Sequence, residues 1–200
     1  MRIITEPAAL DALFDAPSPA SLTKVARRIT PLYRRWIEAS RFCVVSTAGE
    51  EGTDGSPRGD DGPVVRVADA QTLWLPDWRG NNRIDTLRNI VRDGRVSLMF
   101  MVPGSNDVVR VNGRAVLTDD PEVTRTFEQR GRHPRLVVVI TVGEVYFQCA
   151  KALMRSRLWA PRDGAPDVPT AGAFLSEADA GFDAEEFDAQ YEPTSRKEMW

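Results

Sequence analysis

At three places in this chain, cationic side chains sit beside glycine, asparagine or tryptophan. Arg58 and Gly59 lie in Ser56-Pro57-Arg58-Gly59-Asp60. Trp78 and Arg79 open the run Trp78-Arg79-Gly80-Asn81-Asn82-Arg83. Lys151, Arg155, Ser156 and Trp159 share the segment Lys151–Trp159. Guanidinium groups grip phosphate through forked, charge-assisted hydrogen bonds. Gly80 lets a backbone approach closely, and Trp78 and Trp159 offer flat walls. This mixture suits a ligand with a phosphate at one end and a flat aromatic system at the other. Arg79, Asn81, Asn82 and Arg83 precede a segment of helical periodicity. They would stand at a helix N-terminus, where backbone N–H groups and the helix dipole favour an anion. Lys151 and Arg155 are four residues apart, as are Arg155 and Trp159, and so share a helix face. Arg66 interrupts an apolar strand-like run and there needs solvent, a carboxylate or a ligand anion. Taken singly, each cluster also fits an ordinary solvated arginine at a turn or on a helix.

Other chemistry finds few residues. The single histidine, His133, follows Gly131-Arg132 and precedes Pro134. It reads as a loop residue without a catalytic role, which removes most zinc and Ser-His-Asp schemes. Cys43 and Cys149 fall in apolar strand-like runs, lack metal-ligand spacing and read as buried structural thiols. No metal site is expected, and no residue offers itself as an essential acid or base. The formal net charge is −3, which argues against a nucleic-acid binder. The charge is unevenly placed: residues 161–200 hold ten acids and three bases, leaving the first 160 residues at +4. No apolar run approaches membrane-spanning length, and the N-terminus lacks a signal peptide's apolar core, so no membrane partner and a cytoplasmic location are expected.

Residues 6–16 and 21–40 read as helical, with Pro31 starting a new segment. Arg41–Thr47, Val64–Val67, Leu73–Leu75, Val96–Met101, Val108–Leu117 and Leu136–Cys149 read as strands, Gly143 marking a bulge. Gly49–Gly62 is rich in Gly, Asp, Pro and Ser and reads as a long, movable hairpin loop carrying Arg58. Asn82–Asp93, Pro121–Arg130 and Ala150–Trp159 read as helices, the first opened by a capping pair of Asn82 and Asp85. These elements, at least six strands with helices inserted between and flanking them, predict a mainly β protein, an antiparallel barrel or sandwich. No G-x-G-x-x-G or G-x-x-x-x-G-K-[ST] supports a Rossmann or P-loop fold.

Four ordered segments, Ser56–Asp60, Pro76–Asn89, Arg110–Ala115 and Cys149–Trp159, together resemble the pyridoxamine 5'-phosphate oxidase-like, FMN-binding split-barrel superfamily. They are closest to a bacterial branch of FMN-dependent type. The resemblance implies a six-stranded split β-barrel of Greek-key type and a homodimer with FMN at the subunit interface. The resemblance runs from about Leu32 to Trp159; the chain is expected to divide into an N-terminal helical segment over 1–40, the barrel over 41–160 and an acidic helical extension over 161–200. It places the phosphate at Arg79, Asn81, Asn82 and Arg83 and the Arg58-Gly59 loop near the flavin ring. Lys151, Arg155, Ser156 and Trp159 would reach the flavin from the partner subunit, and Arg66 and Trp78 complete the expected cofactor-binding set. The implied function is an FMN-dependent oxidoreductase acting on a small molecule through the flavin N5. The alternative is a non-catalytic protein of the same fold that stores or senses flavin, a deazaflavin or haem. Oxidation of pyridoxamine phosphate itself is not expected, because residues 161–200 contain only Arg162, Arg196 and Lys197 as bases and no histidine.

Overall fold

The computed structural model describes residues 1–161, 163–164 and 167–200. Three short helices come first, α1 (Pro7–Asp11), α2 (Pro19–Thr23) and α3 (Pro31–Ala39). Each begins with proline, whose fixed φ and missing N–H suit a helix's first turn. Pro31 thus divides the helix expected over 21–40, and Thr30 caps α3 by accepting from the Tyr33 N–H. There follow β1 (Phe42–Gly49), β2 (Gly52–Gly59), β3 (Arg66–Val67), β4 (Thr72–Pro76) and α4 (Asp85–Arg92). The chain continues through β5 (Arg95–Met101), β6 (Val108–Thr118), α5 (Pro121–Thr124) and β7 (Val137–Gln148). The described helices close with α6 (Lys151–Ser156), α7 (Ala171–Ala178) and α8 (Ala184–Glu198). Arg162 lies outside the described residues.

The strands form one antiparallel sheet in the order β2-β1-β5-β6-β7-β4-β3. β5, β6 and β7 follow one another directly, and β4 lies beside the last of them, which is a Greek key. The edge strands β2 and β3 do not pair with each other, so the barrel is split. Inward rows from β1, β5, β6 and β7 meet Ile37 of α3 and Leu87 and Ile90 of α4 in one core, with Cys43, Leu73, Leu98, Phe100, Val111, Ile140 and Val145 fully buried. The buried row of β7 runs Val138, Ile140, Val142 and then changes phase to Val145. Gly143 is the extra residue that makes the change, since Asn112 pairs with Glu144 but Gly113 with Val142. The bulge requires glycine opposite it as well, because a Cβ on Gly113 would run into the Thr141 carbonyl.

The structure departs from the sequence reading in several elements. Most of Gly49–Gly62 is a strand: β2 pairs with β1 along eight positions, from Phe42↔Gly59 to Gly49↔Gly52. Its composition favours turns, but a paired neighbour supplies the ladder, and an edge position tolerates Pro57, which cannot donate. β2 is the seventh strand beside the six expected, and the expected strand over Val64–Val67 is only the two-residue β3. Arg58 is therefore fixed in a sheet, not carried on a movable loop. α4 begins at Asp85, and no side chain caps it. Its N-cap is Ile84, which is left-handed at φ 53, as is Asn82 at φ 59. The expected capping pair of Asn82 and Asp85 does not form; Asn81 Oδ1 instead accepts from the Arg83 N–H in a tight local turn. α5 is a single turn. Cys149 lies past the end of β7 and is exposed, whereas Cys43 is buried as expected.

Candidate functional site

Where β4 ends and β7 begins, Pro76 lies opposite Val137. This junction and the inward row of β2 frame a cavity of about 960 Å³, at the upper end of the range for small-ligand sites. Its floor is Asp54, Ser56 and Arg58 on β2 with Leu75 and Pro76 on β4. One wall is the loop 77–84 and the first turn of α4; the opposite wall is Arg132–Leu136 leading into β7; Met199 and Trp200 stand at the rim. Five arginines and three aspartates line it, leaving a surplus of two positive charges.

Arg58 is the most firmly held of these groups. Its Nη1 donates to Asp77 Oδ1 at 2.6 Å, with the two side chains only 20% and 19% exposed. Its Nε is buried and has no partner, a donor whose desolvation a ligand acceptor would offset. On the core side, Arg58 sits opposite Cys43. Burial pushes the Cys43 thiol up to about 12, and the Arg58 charge works the other way. Trp78 is fixed by its indole N–H, which donates to Asp60 Oδ2 at 2.7 Å, while Gln129 Nε2 donates to Asp60 Oδ1 at 2.8 Å. Thr86 donates to Asp54 across the floor.

Arg79 and Arg83 already have carboxylate partners. Arg79 Nη2 lies 3.0 Å from Glu198 and Arg83 Nε 3.0 Å from Asp85, in pairs open to solvent. Such pairs are weak and exchange readily. The backbone N–H groups of the first turn of α4 face this loop without a side-chain cap, so the loop and the helix start form one donor-rich end of the cavity. Ile84 is β-branched yet left-handed, a strained conformation of the kind concentrated at ligand sites.

The structure thus brings together Arg58, Gly59, Trp78, Arg79, Asn81, Asn82 and Arg83. It places the other expected residues elsewhere on the same chain. Arg66 donates to the Thr126 hydroxyl and carbonyl at 2.7 and 2.6 Å and stacks on Phe127. Lys151 and Arg155 project from α6, Ser156 bonds the Leu153 carbonyl within it, and the Trp159 N–H donates to the Ser105 carbonyl at 2.6 Å. α6 follows the far end of β7, roughly 35–40 Å along that strand from the cavity.

Sequence reasoning missed the wall of Arg132, His133 and Arg135. The signal was a Gly-Arg-His-Pro-Arg run dense in cations just before the longest strand. Arg130 and Gly131 both have positive φ, and Gln129 and Arg132 exchange backbone hydrogen bonds across them, a tight hairpin turn that aims the run at the cavity. His133 Nδ1 lies 2.6 Å from the Phe127 carbonyl. A carbonyl oxygen only accepts, so Nδ1 is the donor in that contact and Nε2 is the ring nitrogen left free of it. Among the described residues, no group of three or more His, Cys, Asp or Glu could hold a metal ion, and no helix is long and apolar enough to cross a membrane.

An open antiparallel sheet with a Greek key and a cationic cavity between β4 and α4 defines a split-barrel protein. Residues 29–149 match the pyridoxamine 5'-phosphate oxidase family, and the chain belongs to that family. No curated relative matches it in sequence. Among solved structures, a variant of HupZ from Group A Streptococcus is similar, with a TM-score of 0.50 and 18% identity over 60% of this chain and 99% of that one. A pyridoxamine 5'-phosphate oxidase-like protein from Lactobacillus delbrueckii gives a TM-score of 0.47 and 19% identity over 60% and 95%. An FMN-binding protein from Syntrophomonas wolfei gives 0.44 and 12% over 57% and 82%.

Proposed function

We propose that the cavity holds FMN and that the protein is an FMN-dependent oxidoreductase acting on a small molecule. The observation that carries this reading is the donor-rich end of the cavity, where Arg79, Asn81, Asn82 and Arg83 adjoin the uncapped first turn of α4. The residues fit the group: these donors suit a terminal phosphate, and the partnerless Nε of Arg58 suits a polar edge of a ring system. The indole of Trp78, fixed by Asp60, lines the same space. FMN, when bound, supplies the redox chemistry. The chain's own part is to anchor and orient. Arg79 and Arg83 neutralise the phosphate. The Arg58–Asp77 pair holds a guanidinium at the floor. Arg132 and Arg135 offer positive charge to an anionic substrate, and His133 lines the same wall.

We further propose a homodimer. Phe147, Met154 and Leu158 expose apolar surface around Lys151 and Arg155, far from the cavity of their own chain but able to face that of a second copy. A non-catalytic flavin-binding role is favoured by one observation, the cover that Met199 and Trp200 place on the rim. The test is the visible spectrum of the purified protein, followed by stopped-flow reduction of bound FMN with NADH and NADPH. Reduction and turnover on a panel of quinones and nitroaromatics support the enzyme; a bound flavin inert to both nucleotides supports the carrier.

A further inference from the structure

The end of α8 and the two residues after it, Met199 and Trp200, reach the cavity and are held at both walls. On one side Glu198 pairs with Arg79 at 3.0 Å, each side chain about half exposed. On the other, Arg132 Nη1 donates to the Trp200 carbonyl oxygen at 2.5 Å. Arg130 stacks on the Trp200 ring with its guanidinium carbon 4.5 Å from the centroid, and also donates to the Arg196 carbonyl at 3.4 Å. The arginines that grip the segment are presented by the tight turn at Arg130-Gly131 and by the loop before α4, the two walls of the site. Within three residues the chain therefore delivers one carboxylate to a cavity arginine and one flat aromatic ring to a neighbouring guanidinium. An anion joined to a flat ring is the same pair of features that the cavity is built to receive.

We propose that residues 198–200 are a built-in competitor for the ligand site: a strap whose Glu198 carboxylate occupies Arg79 until an anionic ligand takes its place. This rests on the reading of Arg79 as part of a phosphate-binding wall. Glu198 and a ligand phosphate cannot both take the same donors of one guanidinium, so each weakens the other by the same factor. The half-exposed pair sets that factor at about two- to fivefold. Ligand binding releases the Glu198 anchor, leaving Trp200 held by Arg130 and Arg132 alone.

The test uses the full chain and trypsin, which cuts after Arg196 and Lys197 beside the strap, with the products identified by mass spectrometry. Glu198→Gln without ligand should be cut about two- to fivefold faster than the wild type and should bind FMN tighter by a similar factor. Saturating FMN should speed cleavage of the wild type and leave that of Glu198→Gln nearly unchanged. Arg132→Ala should also speed cleavage, through the other anchor. Equal cleavage of the wild type and Glu198→Gln overturns the strap, as does faster cleavage with unchanged FMN affinity. If neither protein binds FMN, the FMN reading fails on its own, and inorganic phosphate decides the strap: it stands if phosphate speeds cleavage of the wild type but not of Glu198→Gln, and falls if it affects both alike.

Discussion

Arg58 and Asp77 form the least exposed of the cavity's ion pairs, and their coupling is measurable. Nη1 and Oδ1 are 2.6 Å apart, and both side chains are about four-fifths withdrawn from water. At an effective dielectric of about 20 and a charge separation of about 4 Å, the attraction is about 4 kcal/mol. Desolvation of two ions in a partly wet cavity takes back much of it. Arg58→Ala and Asp77→Ala should therefore couple by about 1–3 kcal/mol in a double-mutant cycle measured by urea unfolding. Asp77→Asn alone, which strands a guanidinium whose Nε is already without a partner, should cost about 2 kcal/mol. At about 2–4 °C per kcal/mol for a chain of this size, that lowers Tm by about 4–8 °C. A coupling below about 0.5 kcal/mol, as for an exposed surface pair, would mean that Asp77 does not hold Arg58 at the cavity floor.

Thiol labelling separates the two cysteines: one equivalent, Cys149, should react in the native protein, and Cys43 only on unfolding, since it is buried with its thiol pushed up to about 12. Rapid native reaction of two equivalents would refute that burial. Gly113→Ala should destabilise by about 2 kcal/mol or more, because its Cβ meets the Thr141 carbonyl at the bulge, and thermal unfolding reads this directly. Asp93 is held at about 2, below its ordinary 3.8, by hydrogen bonds from Arg95. Its depressed folded value means a contribution that is full above pH 3.8 and disappears as pH falls through about 2. The unfolding midpoints of the wild type and Asp93→Asn should accordingly differ at neutral pH and converge on acidification; a gap that persists at the acid end would contradict the assignment.

The parts of the fold legible in the sequence were those where local pattern and tertiary demand agree. The β-branched run over β7 announced a strand, and Gly143 within it announced the bulge. The arginines and asparagines before α4 were legible as a cluster because they are neighbours in the chain. β2 was not legible, because its Gly, Pro and Ser content speaks for turns and only the edge of β1 makes it a strand. The wall of Arg132, His133 and Arg135 was hidden for a different reason. It reaches the cavity only because β7 pairs with β4, joining segments more than fifty residues apart. The pairing of Arg79 with Glu198, across most of the chain, has no local signature at all. Cys149 reads as buried because it follows the apolar run through Phe147, but β7 ends at Gln148 and Cys149 lies exposed just past it.

The most direct measurement of the central claim is calorimetric titration of the apoprotein with FMN and with riboflavin, which lacks the phosphate. Charge-assisted hydrogen bonds of about 1.5–3 kcal/mol each make FMN bind at least about tenfold tighter than riboflavin, and Arg83→Ala should narrow the gap. Equal affinities for FMN and riboflavin, or a gap untouched by substituting both Arg79 and Arg83, would contradict the phosphate site between β4 and α4.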